Sequence, residues 1–404
     1  MSDAVAPPAL PLRTHGLRLT LLLSLLLGFA SISTDLYLPA LPTMGRSLGA
    51  AQGTLELTVS GYLLGFAIGQ LFWGPLSDRL GRKLPLLLGV GIFVLGAAGC
   101  ALSSDATQLI VWRIVQALGA SAAVVLARAM VRDLFHRDEA ARKLSTLMMI
   151  MGIAPMIGPS LGAQILTLSS WQMIFWLLVM VGFATALGVF RTDETLAVGQ
   201  RAQQSLLQSF SVYLVHLRNW QLMAHAGILG FSAAGIFAYV AGSSFVFISY
   251  FGLSPQAYGF VFASGIVGIM LANALNRRIV GRFGSTRMVL VGTIIGAGAG
   301  LFLIVETLTG WGGIFGFGAL LFVFVAMNGL VGANAIAGGL SSVTEGTGAA
   351  SALLGCAQYG GGMMGSALIG FMANGTPVPM AVIIAGGSLA AVGCASYLAR
   401  NAIH

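Results

Sequence analysis

The sequence predicts an all-α integral membrane protein that crosses the membrane twelve times. Its composition, the spacing of its apolar segments and the one-sided distribution of its basic residues all support this fold class. Of the 404 residues, 57% are hydrophobic and 8% are charged, whereas about 25% are charged in a typical soluble domain. A soluble chain of this length could not cover so much apolar surface.

The apolar segments are long enough to cross a bilayer, since a transmembrane helix needs about 20 predominantly apolar residues. Such segments lie at residues 17–38, 54–73, 84–103, 106–128, 144–168, 171–190, 220–250, 256–276, 287–305, 312–340, 346–372 and 377–399. The segments at 220–250 and 312–340 are long, so the count of twelve depends on each being a single span.

The first segment resembles a signal peptide, because Arg13 and Arg18 precede a leucine-rich core. Its interior, however, carries small and polar residues at helical spacing, namely Ser24, Gly28, Ser31 and Asp35. Such a stripe favours a helix that packs against other helices. We therefore predict an uncleaved first span.

Arginine and lysine residues lie almost entirely in alternate loops. Counted in this way, 18 of the 20 basic residues fall on one side, with Arg128 assigned to the loop after the fourth span. The exceptions are Arg46, on the other side, and Arg113, within a span. The positive-inside rule then places both chain termini in the cytoplasm, which requires an even number of spans.

The longest polar stretch between spans divides six spans from six. A weak internal repeat supports this division, since Asp78–Gly81 follows the second span and the similar stretch Gly281–Gly284 follows the eighth. We predict two six-helix halves in parallel repeat. Their boundaries are 1–190 for the first half, 191–219 for a cytoplasmic linker and 220–404 for the second half.

Three ionisable residues are predicted to lie within the membrane: Asp35, Glu56 and Arg113. Each costs roughly 2.5–3.5 kcal/mol on insertion scales, so intramembrane charges usually have a function. Asp35 is expected either to bind protons in a central cavity or to face the outer interface. Arg113 could pair with Asp35, hold backbone carbonyls or position its helix. Glu56 is expected at the outer interface or, alternatively, as a second proton site.

The loop after the second span has features beyond its positive charge. Pro75 is expected to end the helix and Gly81 to permit a tight turn. Asp78 is expected at a helix N-terminus, where the helix dipole favours an anion. We predict a cytoplasmic latch between the two halves, formed by Gly74, Asp78, Arg79, Gly81 and Arg82.

The fifth span carries Pro155, Gly158, Pro159 and Gly162, which predict a kinked and closely packed helix. Other polar or aromatic residues could line a cavity between the halves, namely Tyr37, Gln116, Tyr239 and Asn334. An asparagine in an apolar span is equally well explained by a hydrogen bond between helices. Aromatic residues on one face of a helix, such as Tyr239, are more often explained by packing.

The sequence gives no indication of a cofactor or of nucleic-acid binding. The net charge of +8 follows from membrane topology, and no basic run is interleaved with aromatic residues. Cys100, Cys356 and Cys394 lie in apolar stretches without metal-ligand spacing, and we interpret them as small buried hydrophobic residues. The expected partners are a small-molecule substrate, protons and the lipid bilayer, and the expected state is a monomer.

Several motifs resemble the major facilitator superfamily. The stretch Gly74–Lys83 is similar to that family's signature between spans two and three. Arg113–Gly119 resembles the span-four signature associated with proton coupling, and Gly158–Ala163 resembles the span-five antiporter signature, with alanine replacing the final glycine. Thr34–Pro42 narrows the resemblance to the bicyclomycin and chloramphenicol resistance (Bcr/CflA) group of drug:proton antiporters.

This resemblance implies proton-driven export of small amphiphilic molecules across a bacterial inner membrane. It implies that Asp35 is the acidic coupling position, Arg113 its partner, and the Gly158–Pro159 bend a barrier to leak. An alternative within transport is export of a cell metabolite such as an amino acid. From other classes, a membrane enzyme or a non-transporting sensor or scaffold is conceivable. No span holds a nucleophile beside a base, however, and a scaffold has no need of Asp35 and Arg113.

Overall fold

The computed structural model describes residues 17–135, 137–201, 213–343 and 346–401, so Arg13 and part of the predicted linker lie outside the described residues. All regular elements in this part of the chain are helical. It contains twelve helices of at least 19 residues. They are α1 (Leu17–Asp35), α2 (Gln52–Leu80), α3 (Lys83–Ala101), α4 (Ala106–Leu134), α5 (Arg137–Leu168), α6 (Gln172–Phe190), α7 (Trp220–Ser244), α8 (Pro255–Phe283), α9 (Ser285–Thr309), α10 (Gly313–Ser341), α11 (Thr347–Met372) and α12 (Val378–Asn401).

Ten stretches of helix among the described residues are long and apolar enough to cross a membrane, which makes the chain a multi-pass membrane protein. The two long predicted segments are each one continuous helical stretch. One is α10, and the other is α7 followed by a π-helical turn, Phe245–Tyr250. The exceptions to the span criterion are α5, whose apolar part is Gly152–Leu168, and the glycine-rich α11.

Several helices extend beyond the predicted apolar segments into polar sequence. The predicted break at Pro75 is wrong, because α2 continues through it to Leu80. A proline removes one backbone hydrogen bond, but membrane helices tolerate this where neighbouring groups satisfy the freed carbonyl. The assignment of Arg128 to a loop is also wrong, because α4 ends only at Leu134.

The first six and the last six helices repeat the same set of pairings. In the first set α2 packs on α4, α3 packs on α4 and α6, and α1 packs on α5. In the second set α8 packs on α10, α9 packs on α10 and α12, and α7 packs on α11. This is the arrangement expected of a parallel repeat, while the domain boundaries at 190 and 219 stay a prediction.

The two sets of six meet through two helix pairs, α2 with α11 and α5 with α8. Across the first pair, the hydroxyl groups of Ser60 and Ser366 are hydrogen-bonded at 2.9 Å. Across the second, Gln256 Nε2 donates to Thr167 Oγ1 at 2.7 Å.

The side of the bundle with the loops at 79–83, 191–201 and 277–287 is called the arginine-rich side below. The α5–α8 contact lies on the opposite side, which is therefore closed. Towards the arginine-rich side, α4 and α10 share no extensive contact within the described residues.

Candidate functional site

Asp35 is the last residue of α1, and its side chain is buried, with 6% exposed. The chain does not leave the protein there. A 3-10 turn, Leu38–Ala40, and a short helix, Leu41–Ser47, follow and are largely buried. Asp35 thus lies inside the bundle and not at an exposed outer interface. Its carboxylate forms no ion pair with any residue that the structure describes.

Arg113 lies in α4 and is fully buried. Its Nη1 donates to the backbone oxygen of Ser33 at 3.0 Å and to Gln116 Oε1 at 2.6 Å. The guanidinium carbon lies 4.3 Å from the ring centroid of Tyr37 and 4.2 Å from that of Tyr62. Two aromatic faces therefore enclose the cation, an arrangement that stabilises it by about 2 kcal/mol per face where water is excluded.

The guanidinium is bound but not neutralised. No carboxylate approaches within ion-pair distance in the described residues, and Nε and Nη2 have no hydrogen-bond partner there. Of the three roles predicted for Arg113, the structure shows the second, because it holds the carbonyl of Ser33. That carbonyl lies two residues before Asp35, so Arg113 fixes the backbone that carries the acid.

Glu56 lies one turn inside the start of α2 and is also fully buried. Its Oε1 accepts a hydrogen bond from Gln52 Nε2 at 2.9 Å, while its Oε2 has no partner among the described residues. An exposed position at the outer interface is therefore not what the structure shows. One turn further along α2, Ser60 contacts the second half, so Glu56 lies near the seam between the halves.

The glycines of α5 hold this helix directly against the acid. A Cβ at Gly158 would lie 3.1 Å from the Cβ of Asp35, and one at Gly162 would run into the backbone oxygen of Leu36. On another face, Ser160 fills the space left by Gly259 of α8. The predicted close packing is confirmed, and α5 continues through both Pro155 and Pro159.

A charge network surrounds the turn between α2 and α3. Arg82 Nε donates to Asp133 Oδ2 at 2.8 Å, and its Nη1 forms an ion pair with Asp78. The backbone N–H groups of Arg82 and Lys83 donate to Glu194 at 2.8 and 3.1 Å. Gly81 has a φ of +93°, which confirms the predicted turn.

One part of the latch prediction is wrong, because Asp78 lies in the last turn of α2 and the anion at the N-terminus of α3 is Glu194. The bonds named above join the first half to the start of the predicted linker, and a latch between the two halves stays a prediction. Of the other predicted latch residues, Arg79 is exposed and Gly74 lies within α2.

Glu194 lies outside the predicted spans, and its environment favours the carboxylate. Partial burial raises the pKa of Glu194, but the backbone N–H groups of Arg82, Leu196, Lys83 and Thr195 lower it more. The net pKa is therefore below the ordinary value. Carboxylates that accept several backbone hydrogen bonds behave in this way.

The four predicted cavity residues do not lie together. Tyr37 and Gln116 belong to the enclosure of Arg113. Tyr239 is buried in the second half and stacks on Phe262, with ring centroids 5.5 Å apart. Asn334 Nδ2 donates to Asn276 Oδ1 at 2.8 Å, so it joins α10 to α8, which is the alternative interpretation as a hydrogen bond between helices.

Sequence reasoning did not identify Thr58, Tyr62 or Glu194. Thr58 forms a hydrogen bond with the Tyr37 hydroxyl at 3.0 Å, and Tyr62 lies four residues further along α2. Residues four apart share one face of a helix, so this pair could have been found from its spacing. Glu194 has no such signal, because 112 residues separate it from Arg82.

These features define a class of protein. Two repeated six-helix sets, a buried acid beside a buried cation, and a closed opposite side are the architecture of a secondary transporter. The chain belongs to the Major Facilitator Superfamily, whose family model matches residues 23–366.

Curated relatives agree with this assignment. The chain is 34% identical over 381 residues to an uncharacterized MFS-type transporter, YdgK, from Bacillus subtilis, covering 93% of each chain. It is 30% identical over 366 residues to a bicyclomycin resistance protein homolog from Haemophilus influenzae, covering 89% of this chain and 92% of the relative.

The fold is also similar to that of a solved transporter. A partially occluded inward-open structure of the xylose transporter XylE from E. coli superposes with a TM-score of 0.70 at 16% identity. The similarity covers 93% of this chain and 95% of that one. At this identity the comparison concerns the fold alone.

Proposed function

We propose that this chain exports small amphiphilic drugs, such as bicyclomycin- or chloramphenicol-like compounds, in exchange for protons by alternating access in a bacterial inner membrane. The proposal rests mainly on two buried side chains, Asp35 and Arg113, neither of which forms an ion pair among the described residues. Arg113 donates a hydrogen bond to the backbone oxygen of Ser33, two residues before Asp35. The family assignment and the relative named for bicyclomycin resistance support it.

The physical argument starts from the cost of an unpaired buried charge. A carboxylate without a partner in a low-dielectric site gains stability either by binding a proton or by contacting a polar or cationic substrate. Binding of one then weakens binding of the other, and this coupling is reciprocal. Arg113 holds the backbone beside Asp35 and keeps the local potential positive, so that the proton can also leave.

The test uses everted inner-membrane vesicles with an acidified interior and a pH-sensitive dye. Bicyclomycin, chloramphenicol and a panel of amphiphiles are added to wild type, to D35N and to D193N at matched protein levels. Asp193 is an exposed aspartate and serves as the control. We expect substrate-triggered proton release in wild type and D193N, and none in D35N. Release that persists in D35N would move the proton site to Glu56, and no release in wild type would contradict the proposal.

The packing of α5 provides a second test. Because a Cβ at Gly162 would run into the backbone oxygen of Leu36, G162A should separate α5 from the chain after Asp35. We expect faster dissipation of the proton gradient without substrate. G152A is the matched control, since a Cβ at Gly152 meets nothing within 4 Å. Equal leak in wild type and G162A would argue against a sealing role for this contact.

A further inference from the structure

Glu56 is a buried acid that lies between two contacts closing the seam of α2 with α11. A Cβ at Gly53 of α2 would run into the backbone oxygen of Gly370 of α11, so the two backbones touch there. Further along α2, the hydroxyl groups of Ser60 and Ser366 are hydrogen-bonded. Residues three and four apart share one face of a helix. Glu56 therefore lies on the stripe of α2 that carries both contacts.

This part of the seam lies on the side of the bundle opposite the arginine-rich side. Gly53 is the second residue of α2, and Gly370 lies two residues before the end of α11. The α5–α8 contact closes the same side. Because none of the Glu56 side chain is exposed, it meets water when α2 and α11 separate at this end.

No positive charge compensates the Glu56 carboxyl group within the described part of the chain. Gln52 Nε2 donates to its Oε1, while its Oε2 has no partner there. From Tyr359 onwards, α11 carries no further ionisable residue. The other elements packed against α2 carry, at this end, ionisable side chains that form no hydrogen bond or ion pair with Glu56 in the described structure, namely Arg46, Cys100, Asp105, Arg113 and Tyr239.

The two protonation states of Glu56 favour different arrangements of the seam. An unpaired carboxylate is costly to bury, whereas the protonated acid carries no charge. The closed seam therefore holds the proton on Glu56, and an open seam, which lets water reach the side chain, releases it. Protons shift the equilibrium towards the state that binds them more tightly. Low pH should thus favour the closed seam and high pH the open one.

We propose that Glu56 is a proton-binding site that controls the α2–α11 seam, so that its protonation keeps the opposite side closed and its deprotonation opens that side. The inference goes beyond the proposed function, because it requires neither drug export nor proton exchange at Asp35. It gives the chain a sensor of the pH on the opposite side, separate from the site around Asp35 and Arg113.

The test measures the distance between spin labels on A51C and T376C by double electron–electron resonance in lipid nanodiscs. Both positions are exposed, one just before α2 and the other in the turn after α11. The full-length parent protein carries D35N, which removes the other buried acid of this half, and alanine at its three native cysteines. Between pH 5 and pH 9 we expect a shift from a short to a longer distance. The ratio of closed to open protein should change by up to tenfold per pH unit, because one proton is exchanged.

Two variants of this parent assign the shift. E56Q resembles the protonated acid and should keep the short distance at every pH. E306Q is the matched control, since Glu306 is also buried and its Oε1 has no partner among the described residues, while its helix, α9, packs on α8, α10 and α12. E306Q should therefore shift with pH as the parent does.

The outcomes separate a proton switch from a structural role. Because E56Q must reproduce the short distance that the parent shows at pH 5, a variant that merely misfolds is recognised by a different distance at that pH, and the parent then decides. A parent distance that does not change with pH, or a shift that survives E56Q, would overturn the proposal.

Discussion

The turn between α2 and α3 and the turn between α8 and α9 have the same backbone and different surroundings. Gly81 and Gly284 occupy equivalent places with φ of +93° and +82°, and each immediately follows a helix that carries an arginine near its end. Around Gly81, Arg82 is buried among Asp78, Asp133 and Glu194. Around Gly284, Arg282 is exposed, and its guanidinium lies 5.5 Å from the ring centroid of Phe283. Arg282 lies two residues before its glycine, as Arg79 does before Gly81, and Ser285 stands at the place of Arg82.

The comparison shows that the glycine turn and the charge network are separable. A left-handed glycine reverses the chain wherever two helices follow closely, whatever charges surround it. The network instead needs Asp133 from α4 and Glu194 from after α6. Of the two turns, the first is the one that forms ion pairs and capping hydrogen bonds with other elements in the part of the chain that the structure describes.

The largest expected difference between the turns concerns their arginines. R82A leaves Asp133 without its ion-pair partner and with only the Thr195 hydroxyl, at 3.3 Å, as a hydrogen-bond donor among the named contacts, in a site where 14% of the Asp133 side chain is exposed. Removing one member of such a pair should lower the free energy of unfolding by about 3 kcal/mol. R282A removes an exposed charge and should change it by less than about 0.5 kcal/mol. Thermal unfolding in detergent measures both, and equal shifts would mean that the network does not fasten the first half.

The two glycines give the next largest effect. G81A and G284A each force a β-carbon into a backbone region that costs roughly 1–3 kcal/mol. At Gly81 the new Cβ would also meet the carboxylate of Glu194, whereas at Gly284 it meets nothing within 4 Å. We expect the melting temperature of G81A to fall further than that of G284A. The reverse order would contradict the role given to Glu194.

The smallest effect is a dependence of stability on pH. The pKa of Glu194 is lowered below its ordinary value of 4.5, so its contribution to stability is complete above that value and is lost as the pH falls through the folded-state pKa. E194Q should remove this part of the acid sensitivity, and the gap between wild type and E194Q should narrow at low pH. Melting temperatures from pH 3 to pH 7 measure it, and a constant gap would argue against an ionised Glu194 at this turn.

Sequence reasoning located the helices well but placed several of their ends wrongly. Hydropathy indicates where a run of apolar side chains ends. A helix, however, ends where its backbone hydrogen bonds end, and this can be several residues further on. Thus α2 runs through Pro75, and α4 contains Arg128. The buried acid and cation were found because charged residues are rare in apolar segments. Of the groups around Arg113, Tyr37 and Gln116 were among the predicted cavity residues. Ser33 was not predicted, because it contributes its backbone oxygen, which every residue has, and Tyr62 was overlooked although its spacing from Thr58 pointed to it.

The sequence by itself determined that this protein crosses a membrane many times, carries motifs that resemble those of a known family, and has Asp35, Glu56 and Arg113 within apolar segments. These conclusions follow from composition and local spacing, which folding does not change. Only the tertiary structure decided that Arg113 binds the carbonyl of Ser33 and that Glu194 caps α3. Those contacts join residues far apart in the chain, and helix packing alone brings them together.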